Sequence, residues 1–422
     1  MMKKIIIIFV WVISLVMVSA YTYDNPEKVE LLKDYFKKYK KPELKVKSGN
    51  VEKQWANSFL VEFSKKISFT GKTSFIIHDE NILNFDANSL KIFYQNGYIY
   101  ENSKLSKINL PDSFTTVKNG GVKSIFIFKN KKFGLISSLK DNCFYASIIS
   151  LESSKELFKT QCLQDKKIDF NGLGSSHIHT DDKILLSIGT PEQASSKIRK
   201  LAQDENSMFG KIIQIDKSNL DSVINNESDK INAKIFSIGH RNPQGLTKIN
   251  DSIFSVEHGP KGGDELNRIL EEENYGWPKV SYGTQYIYDE NGKAYEISHE
   301  NNKFKEPLFA LVPSVGISAL NHCPKKLREY YQKNCLLALS LYGNSLRPGR
   351  SIIIFLLNNK MDQVNSIEKI HLIEDHPTKD DLRLRHFVTN SKNELYEDSD
   401  GNIYVSADSK GIYKLSFKHF RN

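Results

Sequence analysis

From Gly97 onward, short apolar runs recur between turns rich in Asn, Asp and Gly. They read GYIYEN at Gly97, KKFGLISS at Lys131, DKILLSIG at Asp182, DSIFSVEHG at Asp251, NCLLALSLYG at Asn334 and GNIYVSADS at Gly401. Alternation, β-branched residues and turn-forming flanks predict a strand in each. Several are followed by a second strand, as in GKIIQID at Gly210 and GIYKLSF at Gly411. The spacing is irregular, so the repeat is a weak signal by itself. Six recurrences in an all-β chain nevertheless fit six sheets arranged about an axis. Radial repetition protects strand edges and brings the loops of one face together.

The beginning of the chain follows a different pattern. Lys3 and Lys4 precede the apolar run Ile5 to Val18, and Val18-Ser19-Ala20 supplies small residues suited to a signal peptidase. The run is shorter than the ~20 residues a transmembrane helix needs. Residues 1–20 are therefore expected to be an export signal. The protein would be periplasmic or secreted, with no integral membrane span in the mature chain; an uncleaved anchor is the alternative. No Cys follows the apolar run, which argues against a lipoprotein. Asn25-Pro26-Glu27 is a helix start, and Val29, Leu32, Phe36 and Tyr39 recur at helical spacing to about Lys40. That amphipathic helix would dock on the main body or bind a partner. Leu44 to Phe85 reads as further strands and turns. The expected division is a signal at 1–20, an extension at 21–83 and a propeller at 84–422.

A hydrophobic content of 39% in 422 residues supports a substantial core. The net charge of +9 comes from Lys and Arg scattered among many acids. With no basic helix or nucleic-acid motif, it describes a solvated basic surface and no nucleic-acid site. Cys143 and Cys162 flank a predicted hairpin whose turn falls at Glu152-Ser153, a register that sets them opposite each other. Cys323 and Cys335 close a short loop. In an oxidising compartment these form two disulfides, with free buried thiols the alternative. Neither pair has zinc-site spacing.

The richest stretch is Ile235 to Tyr282, in which specialised loops follow one another: GHRNPQG, EHGPKGGDE and NYGWPKVSYG. These runs resemble the soluble PQQ-dependent aldose dehydrogenases, the glucose/sorbosone dehydrogenase family, and the likeness is traceable from Leu90 to Phe417. The resemblance implies an all-β fold, a six-bladed β-propeller, here with a short N-terminal helical extension. It implies pyrroloquinoline quinone (PQQ) over the central channel with calcium, and oxidation of aldoses to lactones. Arg241 and Asn242 match cofactor contacts, since a guanidinium fork suits the carboxylates of PQQ. Asn119 stands where the family has a cofactor-binding glutamine. Gly259 and Pro260 match the loop whose carbonyls bind calcium, and Glu265 and Tyr275 fall at a second calcium site; oxygen ligands suit that ion. The plainer alternatives are an Arg241–Asn242 pair that braces blade loops and a Glu265 that accepts hydrogen bonds from the NYGWP loop.

Departures from the pattern matter as much. The family's catalytic base is a His ahead of DKILLSIG; Asn171 stands there, and an amide takes no proton at neutral pH. His177 and His179 lie on the following strand and would need a changed register to replace it. Thr190 replaces an acid, Tyr342 a lysine, and Ser391 and Asn393 stand in for two arginines expected before the turn at Ser399-Asp400-Gly401. No catalytic residue is assigned. Two classes of function remain: a divergent quinoprotein with weak or lost sugar oxidation, and a non-catalytic propeller that binds a glycan or protein at its central face. A hydrolase finds no paired-carboxylate spacing.

Overall fold

The computed structural model describes residues 41–421 apart from 47–48, 50, 57, 83, 166, 192–195, 286–294, 342–350 and 373–381. The expected export segment, the helix from Pro26 and Tyr342 lie outside the described residues. Upstream of the blades are β1 (Leu44–Val46), β2 (Val51–Trp55) and β3 (Leu60–Phe69). Blade one holds β4 (Thr73–His78), β5 (Leu90–Tyr94), β6 (Tyr98–Glu101) and β7 (Lys104–Lys107). Blade two holds β8 (Val122–Phe128), β9 (Lys131–Lys140), β10 (Cys143–Ser150) and β11 (Glu156–Lys159). Blade three has β12 (His177–His179), β13 (Lys183–Ile188), β14 (Lys211–Asp216) and β15 (Ala233–Ile238), with α1 (Ser196–Lys200) and α2 (Lys217–Ile224) in its connections.

Blade four has β16 (Pro243–Ile249), β17 (Ser252–Glu257), β18 (Asp264–Ile269) and β19 (Phe309–Leu311). Blade five has β20 (Ile317–His322), β21 (Cys335–Ser340), β22 (Ser351–Leu357) and β23 (Val364–His371), with α3 (Lys325–Tyr331) between its first two strands. Blade six has β24 (Leu384–Phe387), β25 (Ile403–Ala407) and β26 (Gly411–Lys418). All pairings within the sheets are antiparallel, so the six-bladed propeller expected from the sequence is the observed fold.

Blade six is completed from the other end of the sequence. β3 pairs with β26, Phe63 opposite Leu415 and Val61 opposite Phe417, and β1 and β2 extend that sheet beyond β3. The propeller therefore begins at Leu60, not near Asn84: β3 closes the ring and β4 is the first strand of blade one. Five of the six recurrent runs are the second strand of their blade. GYIYEN is the exception, being the third strand of blade one, where LKIFY of β5 takes the second place.

Both faces of each central strand are covered, which is why these runs read as nearly continuous apolar sequence. Alternate side chains point to opposite faces. In β21, Cys335, Leu337 and Leu339 pack towards blade six, while Leu336 and Ala338 pack towards blade four. In β9, Phe133 and Leu135 face blade three and Ile136 faces blade one. A separate buried cluster fills each of the six spaces between neighbouring blades.

Both disulfides pair as expected. Cys143–Cys162 has a Cα separation of 5.3 Å and Cys323–Cys335 one of 5.5 Å. After β24 a hairpin crosses towards the axis, with Thr389 bridged to Leu395. At its tip Asn393 adopts φ 68° and donates from Nδ2 to His177 O of blade three (2.8 Å). Asn321 of blade five donates to Asn393 O (3.1 Å) and accepts from Leu395 N (3.2 Å). The hairpin, which leaves blade six, is thereby tied to blades three and five across the axial channel.

Ring closure by β3 gives a test. Leu60, Val61, Phe63, Ile67 and Phe69 are buried, and burying a side chain of this size contributes about 1.5–3 kcal/mol. Their sum is comparable with the ~5–15 kcal/mol that separates folded from unfolded domains. A chain starting at Thr73 is expected to aggregate or melt without cooperativity, whereas one starting at Ser58 keeps a single melting transition by circular dichroism. Normal folding of the shorter chain would show that β3 is dispensable.

Candidate functional site

The first strand of every blade lines the axis. Ser74, Ser124, His177, Gln244, Asn321 and His386, one from each of these strands, border a narrow channel of about 30 Å³. All six strands run the same way, so the residues just before them gather at one mouth. Asn119 precedes β8, Asn171 precedes β12, Arg241 and Asn242 precede β16, and Arg383 stands just before β24.

Arg383 and Arg385 are a feature that the sequence reading did not single out. They stand at the start of β24, ahead of the hairpin that carries Ser391 and Asn393. Arg385 donates from both Nε and Nη2 to the carboxylate of Asp408, and Arg383 lies 3.6 Å from the same group. Burial pushes the Asp408 carboxyl up, but Arg385, Lys72 and Arg383 outweigh it and hold the group below its ordinary range.

Lys123, on β8, is a second feature missed in the sequence. Its ammonium donates to Asn119 O at 2.7 Å, and no carboxylate among the described residues bonds it directly. Burial and the neighbouring Lys72 pull it down to about 7, with Asp169 opposing and Arg385 adding to the effect. Asn119 itself has a left-handed φ of 56° and donates to Asp169 at 3.1 Å. Asp169 also accepts from Asn171 N at 2.8 Å, which fixes the short turn carrying that exposed amide. Lys72, Lys123, Arg383 and Arg385 thus gather beside Asp169 and Asp408 in this part of the mouth.

On the other side, Arg241 acts as a brace. Nη1 donates to His258 O (3.0 Å) and Gly259 O (2.7 Å), and the guanidinium lies 5.3 Å from the centre of the Trp277 ring. Thr190 holds the Arg241 carbonyl through both N and Oγ1. Asn242 accepts from Gln244 Nε2 at 2.7 Å. The Gly259 carbonyl expected to hold calcium is therefore in the grip of a guanidinium. Gly259 has no room for a side chain, because an added Cβ would lie 2.1 Å from Gly263 O. Pro260 is buried beside it.

Beneath this loop, Glu265 lies directly opposite Glu257 across β17 and β18. Both are buried, and one amide, Asn267 Nδ2, serves both carboxylates at 3.2 and 3.0 Å. Burial, then the Glu257 charge, pushes the Glu265 carboxyl well above its ordinary range. Glu257, Glu265, Tyr275 and Gly259 border a void of about 10 Å³, which is the scale of one water or ion. The Tyr275 hydroxyl points elsewhere: it donates to Arg268 O at 2.6 Å and accepts from Leu270 N. Asp264 is committed to Gly259 N, Val315 N and Ile317 N. Two adjacent buried carboxylates are a donor set suited to calcium. Among the described residues, no group of three or more His, Cys, Asp or Glu side chains is placed to hold a metal. A cation here would rely on carbonyl oxygens as well.

A six-bladed propeller with a cation-lined axial mouth above a buried carboxylate pair is the class defined by this geometry. The model of the Glucose / Sorbosone dehydrogenase family matches residues 144–413, and the chain belongs to that family. It is 37% identical over 97 residues to quinoprotein glucose dehydrogenase B of Acinetobacter calcoaceticus, covering 22% of this chain and 19% of that protein. It is 33% identical over 134 residues to the aldose sugar dehydrogenase YliI of Escherichia coli, covering 31% and 35%. The matched segments thus span about a third or less of these relatives. The fold is shared more widely. The soluble aldose sugar dehydrogenase of E. coli in its apo form superposes with a TM-score of 0.58 over 88% of this chain and 99% of that one, at 21% identity. The PQQ-bound aldose sugar dehydrogenase of Streptomyces coelicolor gives 0.54 over 89% and 100%, at 14% identity. No described helix is long and apolar enough to cross a membrane.

The carboxylate pair makes a pH prediction with a definite sign. A carboxyl raised in the fold stabilises while protonated, and that contribution is lost as pH rises through its raised value. Chelated protein is therefore expected to lose stability as pH rises above the ordinary 4.5 of a glutamate, and added calcium to restore it. Glu265→Gln should flatten both the pH slope and the calcium response in melting curves. An unchanged calcium response in that variant would place the ion elsewhere.

Proposed function

We propose that this protein is an exported quinoprotein of the aldose dehydrogenase type, which holds PQQ at the axial mouth but oxidises sugars slowly. The carrying observation is the convergence of Lys72, Lys123, Arg383 and Arg385 on one part of the mouth, beside Asp169 and Asp408. Such an excess of partly desolvated positive charge suits a polycarboxylate, and charge-assisted bonds to guanidinium are the strong ones. When bound, PQQ supplies a two-electron acceptor for the sugar. The chain's part is to bind the carboxylates through Arg383, Arg385 and Lys123, to shape the opposite wall with Arg241 and Trp277, and to keep a calcium ion near Glu257 and Glu265. Two disulfides support the proposed export, since such bonds persist in oxidising compartments.

Proton removal is the weak step. Asn171 cannot accept the hydroxyl proton, and loss of a positioned base costs about 10²–10⁴-fold in rate. His177 sits inside the channel at 0% exposure, where burial and His179 push its imidazole well below the ordinary range. A non-catalytic propeller that binds a glycan at the same mouth is the second reading, favoured by the absence of a base at Asn171.

Binding and turnover separate the two. With PQQ and calcium, spectral titration is expected to show saturable binding, weakened at least ~10-fold by Arg383→Gln with Lys123→Gln, or about 1.4 kcal/mol. Affinity should fall as pH rises through about 7, where Lys123 loses its charge. Turnover on an aldose panel should lie below the ~1–10³ s⁻¹ of ordinary enzymes and rise in Asn171→His. No saturable PQQ binding would leave the glycan-binding reading; full turnover by the parent would overturn the loss of the base.

A further inference from the structure

The axial channel leads to a second space. Beyond the hairpin 389–395, at the face opposite Arg385, lies a cavity of about 450 Å³. That volume is within the ~300–1,000 Å³ of small-molecule sites. Three cations line it from three elements: Lys248 on β16, Arg328 on α3 and Lys392 on the hairpin. Neither lysine ammonium has a hydrogen bond or ion pair among the described residues, and Arg328 Nε has no partner. His179 is only 8% exposed, lines the cavity and has an unpartnered Nε2; His322 Nε2 is likewise unpartnered.

Two acids share the lining, and each already has a donor. Glu397 accepts from Lys325 N at the start of α3, and Glu394 accepts from Asn390 Nδ2 within the hairpin. Lys217, nearby at the start of α2, is held by the carbonyls of Thr180 and Asp181. Buried polar atoms without partners are costly, and three of them, Arg328 Nε, His179 Nε2 and His322 Nε2, lie around this cavity. The half-buried Lys248 and the exposed Lys392 add positive charge at its rim, and together these define the chemistry of its occupant.

We propose that this cavity binds a small anion, a carboxylate or phosphate on a hydroxylated body, between Lys248, Lys392 and Arg328 with His179 at its floor. Thr247 and Asn250 offer groups for hydroxyls. The site is independent of whether the mouth takes PQQ. It also carries a proton signature. Burial, then Lys217, Lys392 and Lys248, pull the His179 imidazole down to about 4, with His177 in ring contact at 5.7 Å. An anion beside it reverses part of that repulsion, so binding takes up a proton.

Calorimetric titration of the protein with inorganic phosphate and with gluconate tests this. The pH should be about 5, between the His179 value of about 4 and the ordinary imidazole ~6.5, in two buffers of different ionisation enthalpy. Saturable binding with proton uptake is expected, and the tighter probe identifies a phosphate or a carboxylate headgroup. Lys248→Gln with Lys392→Gln should weaken binding at least ~10-fold, while Lys123→Gln at the mouth leaves it unchanged. His179→Gln should retain binding without proton uptake, which separates a ligand site from a merely structural cluster. Should the double lysine variant melt early, loss of proton uptake in His179→Gln decides the matter. Absence of saturable binding by the parent, or equal binding by a folded double variant, would overturn the proposal.

Discussion

Ring closure is the constraint on which everything else depends. A propeller buries both faces of each blade only if the circle is complete, because every interblade cluster needs two neighbours. Pairing of β3 with β26 joins residues more than three hundred positions apart in sequence, Val61 with Phe417 among them. Without that pairing, the edge of β26 is an unpaired strand and blades six and one lose their shared core of Ile67, Ile76, Ile92 and Ile412. Closure also fixes the axis. Only in a complete ring do the starts of six inner strands converge closely enough for Lys72 of the first blade, Arg385 of the last and Lys123 of the second to share one electrostatic neighbourhood.

The two ends of the axis have different characters because strand starts and strand ends meet different loops. At the mouth, charged groups are held by backbone geometry: Asp169 caps a turn, Asn119 takes a left-handed conformation, and Thr190 holds the carbonyl of Arg241. At the far end the lining includes a helix, a hairpin and strand termini, and its cations lack such fixed partners among the described residues. Between them the hairpin carrying Asn393 is anchored to blades three and five. The family's scaffold thus carries one well-braced polar end and one that is open to a ligand.

Much of the fold was legible because burial on both faces writes nearly continuous apolar runs, and LLALS and KILLSI are unmistakable strands. The errors have physical causes. GYIYEN resembled the other second strands because blade one has two short runs, LKIFY and YIYE, separated by a tight turn. The start near Asn84 left β3 and β4, in a stretch read as strands and turns, outside the propeller, since a strand that closes a ring has its partner at the opposite end of the sequence and no local signal of it. Arg383 and Arg385 were not singled out, because only the fold brings the start of β24 beside Lys72, Lys123 and Asp408. Glu257 was invisible as a site residue, since its meaning comes from lying opposite Glu265 across a sheet. Lys123 had the same difficulty: its environment is assembled by three blades.

The disulfide between Cys323 and Cys335 encloses α3, the helix that carries Arg328 into the far cavity. Cys323 is itself part of that wall. The covalent link therefore makes the geometry of an axial end depend on the redox state of the surroundings, although no cysteine bears on the mouth. With the bond reduced, α3 would be held by its packing alone, through Leu327 and the neighbouring aromatic rings. With the bond formed, the same segment is locked to β21. Reduced and oxidised forms of the protein would then differ at one pole of the propeller.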